Sequence, residues 1–597
     1  MNDSAMPRLI EGDPTDSLAD LPARNAEKEP QRVAFSVKEQ GAWRDITAAQ
    51  FNHEVRALAK GLIASGLEDG DRIAIMARTR YEWTVLDFAA WAAGGVPVPI
   101  YETSSAEQVE WIVKDSGTKF LVVETTAHQT VAEEARANLD GLREIWVIDN
   151  SDLDTLVEAG ASVSEEDLEA RITAQQRDSL ATIIYTSGTT GRPKGCELTH
   201  DNFLGLSENA IAKLGDLLEK DDASTLLFLP LAHVFARFIE VLAVTARVRM
   251  GHSADIANIL DDFQAFRPSF ILAVPRVFEK IYNKANETAV AGGKGKVFAK
   301  AAETAIAWSE GQDTGSVPLK VKVLHKVFDK LVYSTLREKM GNRVEYAVSG
   351  GAALGTRLGH FFRGIGVTVL EGYGLTETTA PATVNIPEKV KIGTVGPPLP
   401  GVSVRIADDG EILIKGLNIL RGYHDNEEAT RESLQDGWFG TGDLGELDED
   451  GYLRITGRKK EILVTAGGKN VAPGVLEDRL RAHPLISQCL VVGDGKPFIG
   501  LLVTLDEEAL TRWKLNRNIP EDKSVADLAM DPSLRAEIQD AVNTVNSTVS
   551  QAEGIRKFYI LDRDLTEEEN ELTPTMKVKR NIVAQRYADA IRHLYKR

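Results

Sequence analysis

Short apolar runs alternate with longer amphipathic stretches in the first part of the chain. Arg72–Met76, Val96–Ile100 and Phe120–Val123 have the pattern of buried strands, whereas Tyr81–Ala93 and Val109–Lys114 have the pattern of helices. Strands that alternate with helices in this way form parallel sheets with helices on their faces. The pattern therefore predicts an α/β fold for this part of the chain.

Two later regions depart from this alternation. Residues 284–340 are rich in Ala, Lys and Glu, which predicts a helical insertion, most simply a surface helical hairpin. Residues 402–456 carry short strand-like runs separated by acidic turns that end in Gly410 and Gly451, which predicts a small antiparallel sheet or barrel. Beyond Arg458 the α/β alternation returns.

A loop rich in glycine and hydroxyl residues follows the strand-like run Thr182–Tyr185 and closes with Lys194. Glycines let backbone N–H groups approach a phosphate, hydroxyls donate hydrogen bonds, and lysine supplies positive charge. Lys194 lies between Pro193 and Gly195, so the loop lacks the spacing of a Walker A motif. The loop predicts an oligophosphate site, with a flexible surface turn as the alternative.

Four further positions carry candidate chemistry. Tyr373 is suited to stack on an adenine ring, and Glu377 to bind Mg²⁺ through its carboxylate, unless it is a buried structural residue. Asp443 follows a Thr-Gly turn and can accept hydrogen bonds from both hydroxyls of a ribose, although a turn or capping role fits Asp443 better when the residue is taken alone. His233 follows a strand-like run, where a core role is the alternative.

Composition excludes several classes of protein. The formal net charge of −20 argues against general nucleic-acid binding. The two cysteines, Cys196 and Cys489, cannot form a disulfide framework or a zinc cluster and suit a reducing cytoplasm. The N-terminus lacks the apolar core of a signal peptide, and the longest apolar run, Phe88–Tyr101, is too short and too broken to span a bilayer. We expect a cytoplasmic protein; a peripheral membrane contact and the choice between monomer and homodimer stay open.

These motifs, taken in order, resemble those of the adenylate-forming superfamily of acyl-CoA synthetases, carrier-protein adenylation domains and luciferases. Asp436–Pro473 resembles the signature of fatty acyl-CoA synthetases, and long-chain fatty acid–CoA ligases of actinobacterial type look closest. The resemblance implies an α/β fold with a large N-terminal domain of parallel αβα-layered sheets and a small β-barrel-like subdomain, followed by a small mobile α+β C-terminal domain. It implies domains at residues 1–459, with the β-rich subdomain at about 393–456, and at residues 460–597.

The resemblance also implies roles for individual residues. It assigns ATP or AMP binding to Thr186, Ser187, Gly188, Thr189, Thr190, Gly191, Lys194, Gly350, Gly351, Ala352, Glu371, Gly372, Tyr373, Gly374, Thr376, Asp443 and Arg458. It assigns the hinge to Lys460, CoA binding to Gly467, Gly468 and Lys469, and catalysis to Lys577, Glu377, Thr186, Lys194 and His233.

The catalytic lysine lies in a motif that departs from the family pattern. The family's usual Ser-Gly before this lysine is replaced by Thr575-Met576, and Lys579 competes with Lys577 for the role. An ordinary basic tail is the remaining alternative.

The expected activity is ATP-dependent conversion of a long-chain fatty acid to acyl-AMP, followed by transfer to CoA, with Mg²⁺ as cofactor. A ligase that loads a carrier-protein arm is the main rival. An amino-acid activator is disfavoured because Val234–Arg237 offers no acidic residue for an amine. A luciferase-like oxidation is disfavoured only because such enzymes are rarer in the superfamily. A non-catalytic regulator is disfavoured because the motifs that carry Lys194, Glu377, Asp443 and Lys577 are intact.

Overall fold

The computed structural model describes residues 2–186, 192–254, 258–573 and 576–596. In chain order, its strands are β1 (Asp3–Ala5), β2 (Val33–Glu39), β3 (Ala42–Thr47), β4 (Arg72–Met76), β5 (Val96–Ile100), β6 (Thr118–Val123), β7 (Glu144–Val147), β8 (Leu180–Thr186), β9 (Lys194–Thr199), β10 (Ser224–Leu227), β11 (Arg249–His252), β12 (Phe270–Ala273), β13 (Tyr346–Ser349), β14 (Thr368–Leu375), β15 (Ala380–Val384), β16 (Val402–Ile406), β17 (Glu411–Gly416), β18 (Gly422–Tyr423), β19 (Leu434–Gln435), β20 (Trp438–Leu447), β21 (Leu453–Arg458), β22 (Leu463–Val464), β23 (Asn470–Val471), β24 (Ile486–Val492), β25 (Ile499–Leu505) and β26 (Ile555–Ile560).

Its helices are α1 (Leu21–Lys28), α2 (Ala48–Ala64), α3 (Tyr81–Ala92), α4 (Ala106–Ser116), α5 (Thr126–Arg136), α6 (Asp152–Ala159), α7 (Glu165–Ala174), α8 (His200–Leu218), α9 (Val234–Ala246), α10 (Ile259–Phe266), α11 (Pro275–Ala291), α12 (Gly295–Asp313), α13 (Leu319–Phe328), α14 (Ser334–Lys339), α15 (Thr356–Gly364), α16 (Glu427–Ser433), α17 (Pro473–Arg481), α18 (Glu507–Asn516), α19 (Val525–Leu528), α20 (Pro532–Asn546), α21 (Arg580–Arg586) and α22 (Ala588–Tyr595). A π-helical turn, Asp329–Tyr333, connects α13 to α14.

Parallel sheets make up much of the first 384 residues. One sheet has the order β5-β4-β6-β7 with every pair parallel. In the others, β10-β11-β2 and β12-β13-β14 are parallel, and β3 and β15 add antiparallel edges. Strand β5 is buried along its whole length, as expected when helices cover both faces of a sheet. The α/β prediction is confirmed.

A sheet of mainly antiparallel strands follows in the chain. Its order is β1-β16-β17-β20-β19, with β21 also paired to β20. Strand β1, from the N-terminus, pairs with β16 although the two lie far apart in sequence. In the pairing of β20 with β21, Asp443 lies directly opposite Arg458.

The C-terminal segment has its own apolar core. Strands β24, β25 and β26 form one sheet, and α17, α18 and α20 contribute buried side chains to the same core. Side chains connect this segment to the preceding part of the chain: Thr103 donates to Glu567 (2.6 Å), and Arg512 pairs with Glu287 (2.5 Å). Within the described ranges, we find no helix with the length and apolar character needed to cross a bilayer.

A fully buried ion pair connects α9 to α3. The Arg237 guanidinium donates two hydrogen bonds from Nη2 and one from Nε to the Asp87 carboxylate, at 2.6 to 2.9 Å, and both side chains are 0% exposed. Arg237 also donates to Thr182 Oγ1 (2.6 Å). Burial, together with the charge of Asp87, raises the pKa of nearby Glu240 well above its usual range.

We predict that Asp87→Ala lowers the stability of the N-terminal region by about 3–5 kcal/mol, because it leaves the Arg237 charge buried without a partner. The matched control is Lys300→Ala, which removes an exposed ion pair with Glu303 and is expected to change stability by less than about 0.5 kcal/mol. The thermal unfolding midpoint measures both. Replacing the whole pair, with Asp87→Leu and Arg237→Met, should restore most of the loss. A midpoint for Asp87→Ala equal to that of the control would contradict this account.

Candidate active site

A large cleft lies where the sheets of the N-terminal region, the antiparallel sheet and the C-terminal segment meet. Its volume is about 1500 Å³. The predicted site residues that line it are Thr186, Lys194, His233, Gly350, Gly351, Gly372, Tyr373, Gly374, Thr376, Glu377, Arg458, Lys460 and Lys577. The fold thus brings together residues from motifs that are widely separated in sequence.

Asp443 lies beside the cleft between an aromatic hydroxyl and a guanidinium. The Tyr373 hydroxyl on β14 donates to Asp443 Oδ2 (2.6 Å), and Arg458 Nε lies 3.5 Å from Asp443 Oδ1. Burial raises the pKa of Asp443, while the Tyr373 hydrogen bond and the charges of Arg458 and Lys577 oppose that rise. The carboxylate is held in one orientation, as recognition of a pair of hydroxyls requires.

Lys577 comes from the C-terminal segment just before α21. The residue is solvent-accessible in the cleft, and its backbone N–H donates to Thr573 Oγ1 (3.0 Å). Protein around the ammonium group displaces water from it, and this loss of hydration, followed by repulsion from Arg458, lowers the pKa of Lys577. Asp443 and Glu461 act in the opposite direction and favour the charged form.

His233 begins α9 at the wall of the cleft. Its Nδ1 accepts a hydrogen bond from the Phe235 backbone N–H (3.2 Å), so the side chain caps the helix. Burial, with a smaller contribution from the charge of Lys577, lowers the pKa of His233 to about 4. His233 is therefore neutral at pH 7 and adds no positive charge to the cleft.

Glu377 is oriented by a tyrosine that the sequence analysis did not identify. The Tyr423 hydroxyl donates to Glu377 Oε1 (3.0 Å), and Lys194 Nζ lies 5.1 Å from the centre of the Tyr423 ring. Strand β18 places Tyr423 there by pairing with β9, opposite Cys196. No local sequence signal marks Tyr423, because its position depends on this long-range pairing.

The side chains around Glu377 can be compared with the ligands that Mg²⁺ prefers. No cluster of three or more His, Cys, Asp or Glu side chains suited to a metal occurs among the described residues. Mg²⁺ usually binds through one or two carboxylates and the phosphates of its substrate. Tyr423 engages Oε1 of Glu377, and none of the residues that the structure describes donates a hydrogen bond to Oε2, which suits contact with an ion carried by a nucleotide.

Several predicted residues lie outside the cleft lining. Glu371 is buried, and its Oε2 accepts a hydrogen bond from the Leu354 backbone N–H (3.0 Å), so it supports the loop that follows β13. Lys469 pairs with Glu553 (3.3 Å) in the C-terminal segment. Also absent from the lining are Ala352, Asp443, Gly467 and Gly468. The predicted phosphate-loop residues Ser187, Gly188, Thr189, Thr190 and Gly191 lie outside the described residues.

Apolar side chains from α8, α9 and β12 line one part of the cleft, which we call the apolar branch. Its side chains are Ala210, Leu214, Leu217, Leu218, Phe235, Phe238, Leu242, Phe270 and Leu272. From the start of α9 to Leu242 the branch follows the helix for roughly 12 Å, at about 1.5 Å per residue. The cleft therefore combines a charged region with an apolar lining that suits a hydrocarbon chain.

Comparison with known proteins places this geometry in a family. A family model described as "AMP-binding enzyme" matches residues 22–424, and one described as "AMP-binding enzyme C-terminal domain" matches residues 460–597. The chain therefore belongs to the AMP-binding enzyme family.

Individual relatives are similar over nearly the whole chain. Long-chain-fatty-acid–CoA ligase FadD15 of Mycobacterium bovis is 51% identical, and the match covers 97% of each chain. Its Mycobacterium tuberculosis counterpart is also 51% identical with the same coverage. Human long-chain-fatty-acid–CoA ligase ACSBG2 is 30% identical over 94% of this chain and 90% of its own.

Solved structures share the fold. ATP-bound MatB from Rhodopseudomonas palustris has a TM-score of 0.69 and 25% identity, covering 97% of this chain and all of its own. O-succinylbenzoate coenzyme A synthetase from Bacillus subtilis, in complex with ATP and magnesium, has a TM-score of 0.68 and 21% identity, covering 94% and 98%. The second likeness shows the fold alone.

We predict that Tyr423→Phe weakens Mg²⁺-dependent ATP binding about tenfold, because Glu377 loses the hydrogen bond that orients it. Calorimetric titration with ATP at several Mg²⁺ concentrations measures the effect. Tyr452→Phe is the matched control, since the Tyr452 hydroxyl donates to the Lys389 carbonyl (2.6 Å) outside the cleft lining. Equal ATP affinities for the two variants would mean that Tyr423 does not position Glu377 for the metal.

Proposed function

We propose that this chain is a long-chain fatty acid–CoA ligase. It would convert a fatty acid and ATP to acyl-AMP and pyrophosphate, and then transfer the acyl group to CoA with release of AMP. The observation that carries the proposal is the convergence at one cleft of Lys577, an apolar branch and the Tyr373–Asp443–Arg458 cluster, in which Tyr373 and Arg458 line the cleft and hold Asp443 beside it. The 51% identity to FadD15 supports the same reaction and substrate class.

Attack on ATP needs no general base in this site. A carboxylic acid is already ionised at neutral pH, so its oxygen can attack the α-phosphorus directly. A new carboxyl–phosphorus bond forms as the bond to the leaving pyrophosphate breaks. A neutral His233 is consistent with this step, since no proton has to be removed from the nucleophile.

The obstacle is electrostatic, because an anion approaches a polyanion and charge increases on the leaving group. Positioned positive charge addresses it. Lys577 would stabilise the reacting phosphoryl group, and Lys194 would contact the pyrophosphate portion. Mg²⁺, bound through Glu377 and phosphate oxygens, would supply further positive charge. Asp443, held by Tyr373 and Arg458, would bind the ribose.

We infer that the second half-reaction requires rotation of the C-terminal domain, residues 460–597, against residues 1–459. Lys459, just before the proposed hinge at Lys460, is fixed to the antiparallel sheet by Asp409 (2.5 Å) and Glu411 (2.8 Å). The predicted CoA motif at Gly467–Lys469 lies outside the cleft lining while Lys577 lies within it. This arrangement suits adenylation. Rotation of the domain would withdraw Lys577 from the cleft and bring the Gly467–Lys469 motif to it.

The function is tested by pyrophosphate release with a panel of carboxylic acids, with and without CoA. We predict that kcat/KM rises about threefold to fourfold per added methylene group, at about 0.8 kcal/mol for each buried methylene, until the chain outgrows the apolar branch. Replacing CoA with a carrier protein bearing a phosphopantetheine arm separates the two acceptors. Absence of acid-dependent pyrophosphate release with every acid would overturn the proposal.

We predict that Lys577→Ala slows adenylation by about 100-fold or more, because the reacting phosphoryl group loses a positioned charge. Transfer of the acyl group from supplied acyl-AMP to CoA should be retained. The comparison variant is Lys579→Ala, whose ammonium group donates to Asn570 (2.5 Å), and which should adenylate within a few-fold of the unmodified enzyme. Single-turnover assays of each half-reaction measure the effects. Loss of both half-reactions in Lys577→Ala, or loss of adenylation in Lys579→Ala instead, would contradict the assignment.

A further inference from the structure

Helix α13 and the π-helical turn after it expose four large apolar side chains on one face. Leu319, Val323, Val327 and Leu331 are 77%, 55%, 47% and 63% exposed. We call these four residues the α13 stripe. Contiguous exposed apolar side chains of this kind mark an interaction surface, whereas isolated ones do not.

The local backbone keeps the stripe aligned. On an α-helix, each residue is rotated by about 40° around the helix axis from the residue four positions before it. The four stripe residues would therefore cover about a third of the helix circumference. The stripe extends into the wider π-helical turn Asp329–Tyr333, which reduces that drift at Leu331. From Leu319 to Leu331 the stripe is roughly 18 Å long, at about 1.5 Å per residue.

The opposite face of this segment is already packed. Phe328 and Tyr333 are buried, and the Tyr333 hydroxyl donates to the Ala301 carbonyl (2.7 Å). His325 stacks on Trp308 with ring centres 4.4 Å apart. Because these contacts fix the helix, folding of the chain does not require the stripe to be covered.

Lysines border the stripe. The side chains of Lys320, Lys322, Lys326 and Lys330 are exposed, and none forms an ion pair with the residues that the structure describes. The only acid in residues 319–333 is Asp329, which pairs with Arg337 (2.8 Å). This face is therefore locally basic on a chain whose formal net charge is −20.

We infer that the α13 stripe and its lysines dock on the surface of an anionic lipid bilayer. Apolar side chains bordered by lysines fit the boundary between acyl chains and headgroups, where lysines contact lipid phosphates. A second copy of this chain fits less well, because a symmetric dimer would place the two sets of lysines against each other. The inference rests on this surface alone and is independent of the proposed ligase activity.

The test is flotation of the full-length protein with vesicles of phosphatidylcholine alone or of phosphatidylcholine mixed with phosphatidylglycerol, whose anionic headgroups attract basic segments. The protein should float with the anionic vesicles and not with the neutral ones, and the fraction that floats should fall as the salt concentration rises.

The triple variant Val323→Ser, Val327→Ser and Leu331→Ser should reduce binding to anionic vesicles without a change in net charge. Replacing the four lysines with glutamine should reduce it by about fivefold per lysine at low salt, whereas arginine should retain it.

Matched controls separate this surface from general effects. Leu515→Ser with Met530→Ser removes exposed apolar side chains elsewhere (56% and 76% exposed) and should float as the unmodified protein does. Calorimetric ATP binding checks that each variant is folded.

A fluorophore placed on the stripe reports insertion directly. The native cysteines, Cys196 and Cys489, are buried, so Leu331→Cys can be labelled selectively. Its emission should shift to the blue with anionic vesicles, and the emission of labelled Met530→Cys should not.

Three results would overturn the inference: equal flotation with neutral and anionic vesicles, flotation of the stripe variant equal to that of the unmodified protein, or no emission shift at Leu331→Cys. Sedimentation velocity adds a fourth, since a dimer that the stripe substitutions dissociate would make this face an interface between copies. None of these measurements depends on activation of a carboxylic acid. Their outcomes therefore neither support nor contradict the proposed ligase function, which pyrophosphate release tests separately.

Discussion

The site depends on a local excess of positive charge around one carboxylate. The Asp443 carboxylate interacts with the positive charges of both Arg458 and Lys577. His233 is neutral and therefore does not change the net charge of this cluster. Loss of hydration, followed by repulsion from Arg458, lowers the pKa of Lys577. A polyanion bound between Arg458 and Lys577 would offset this repulsion, so the same pair of positive charges favours a nucleotide. On a chain with a net charge of −20, only such local concentration can attract ATP.

The fold assembles this cluster from distant parts of the chain. Antiparallel pairing of β20 with β21 sets Asp443 opposite Arg458, and β14 brings the Tyr373 hydroxyl to the same carboxylate. Contacts such as Arg512 with Glu287 hold the C-terminal segment where Lys577 reaches the cleft. The apolar branch beside the cluster is lined by α9, which the buried Arg237–Asp87 pair fixes to α3.

Local features of the structure could be predicted from the sequence, whereas long-range contacts could be predicted only where the resemblance to a known family supplied them. The strands Arg72–Met76 and Val96–Ile100 have the predicted bounds, because their apolar pattern is a property of each segment alone. Motif order predicted that Tyr373, Arg458 and Lys577 belong to one site, and the fold places all three in the cleft lining. The contact of Tyr423 with Glu377 depends on the pairing of β18 with β9, and the burial of Glu371 against Leu354 depends on tertiary packing. Neither leaves a signal in a single sequence.

The most direct test of the central claim is a crystal structure with a non-hydrolysable acyl-adenylate analogue. We expect the ribose hydroxyls within hydrogen-bond distance of Asp443, the acyl chain between α8 and α9, and Lys577 in contact with the group that replaces the phosphate. A ligand bound elsewhere, or in this cleft with its ribose away from Asp443 and its acyl chain in solvent, would contradict the account.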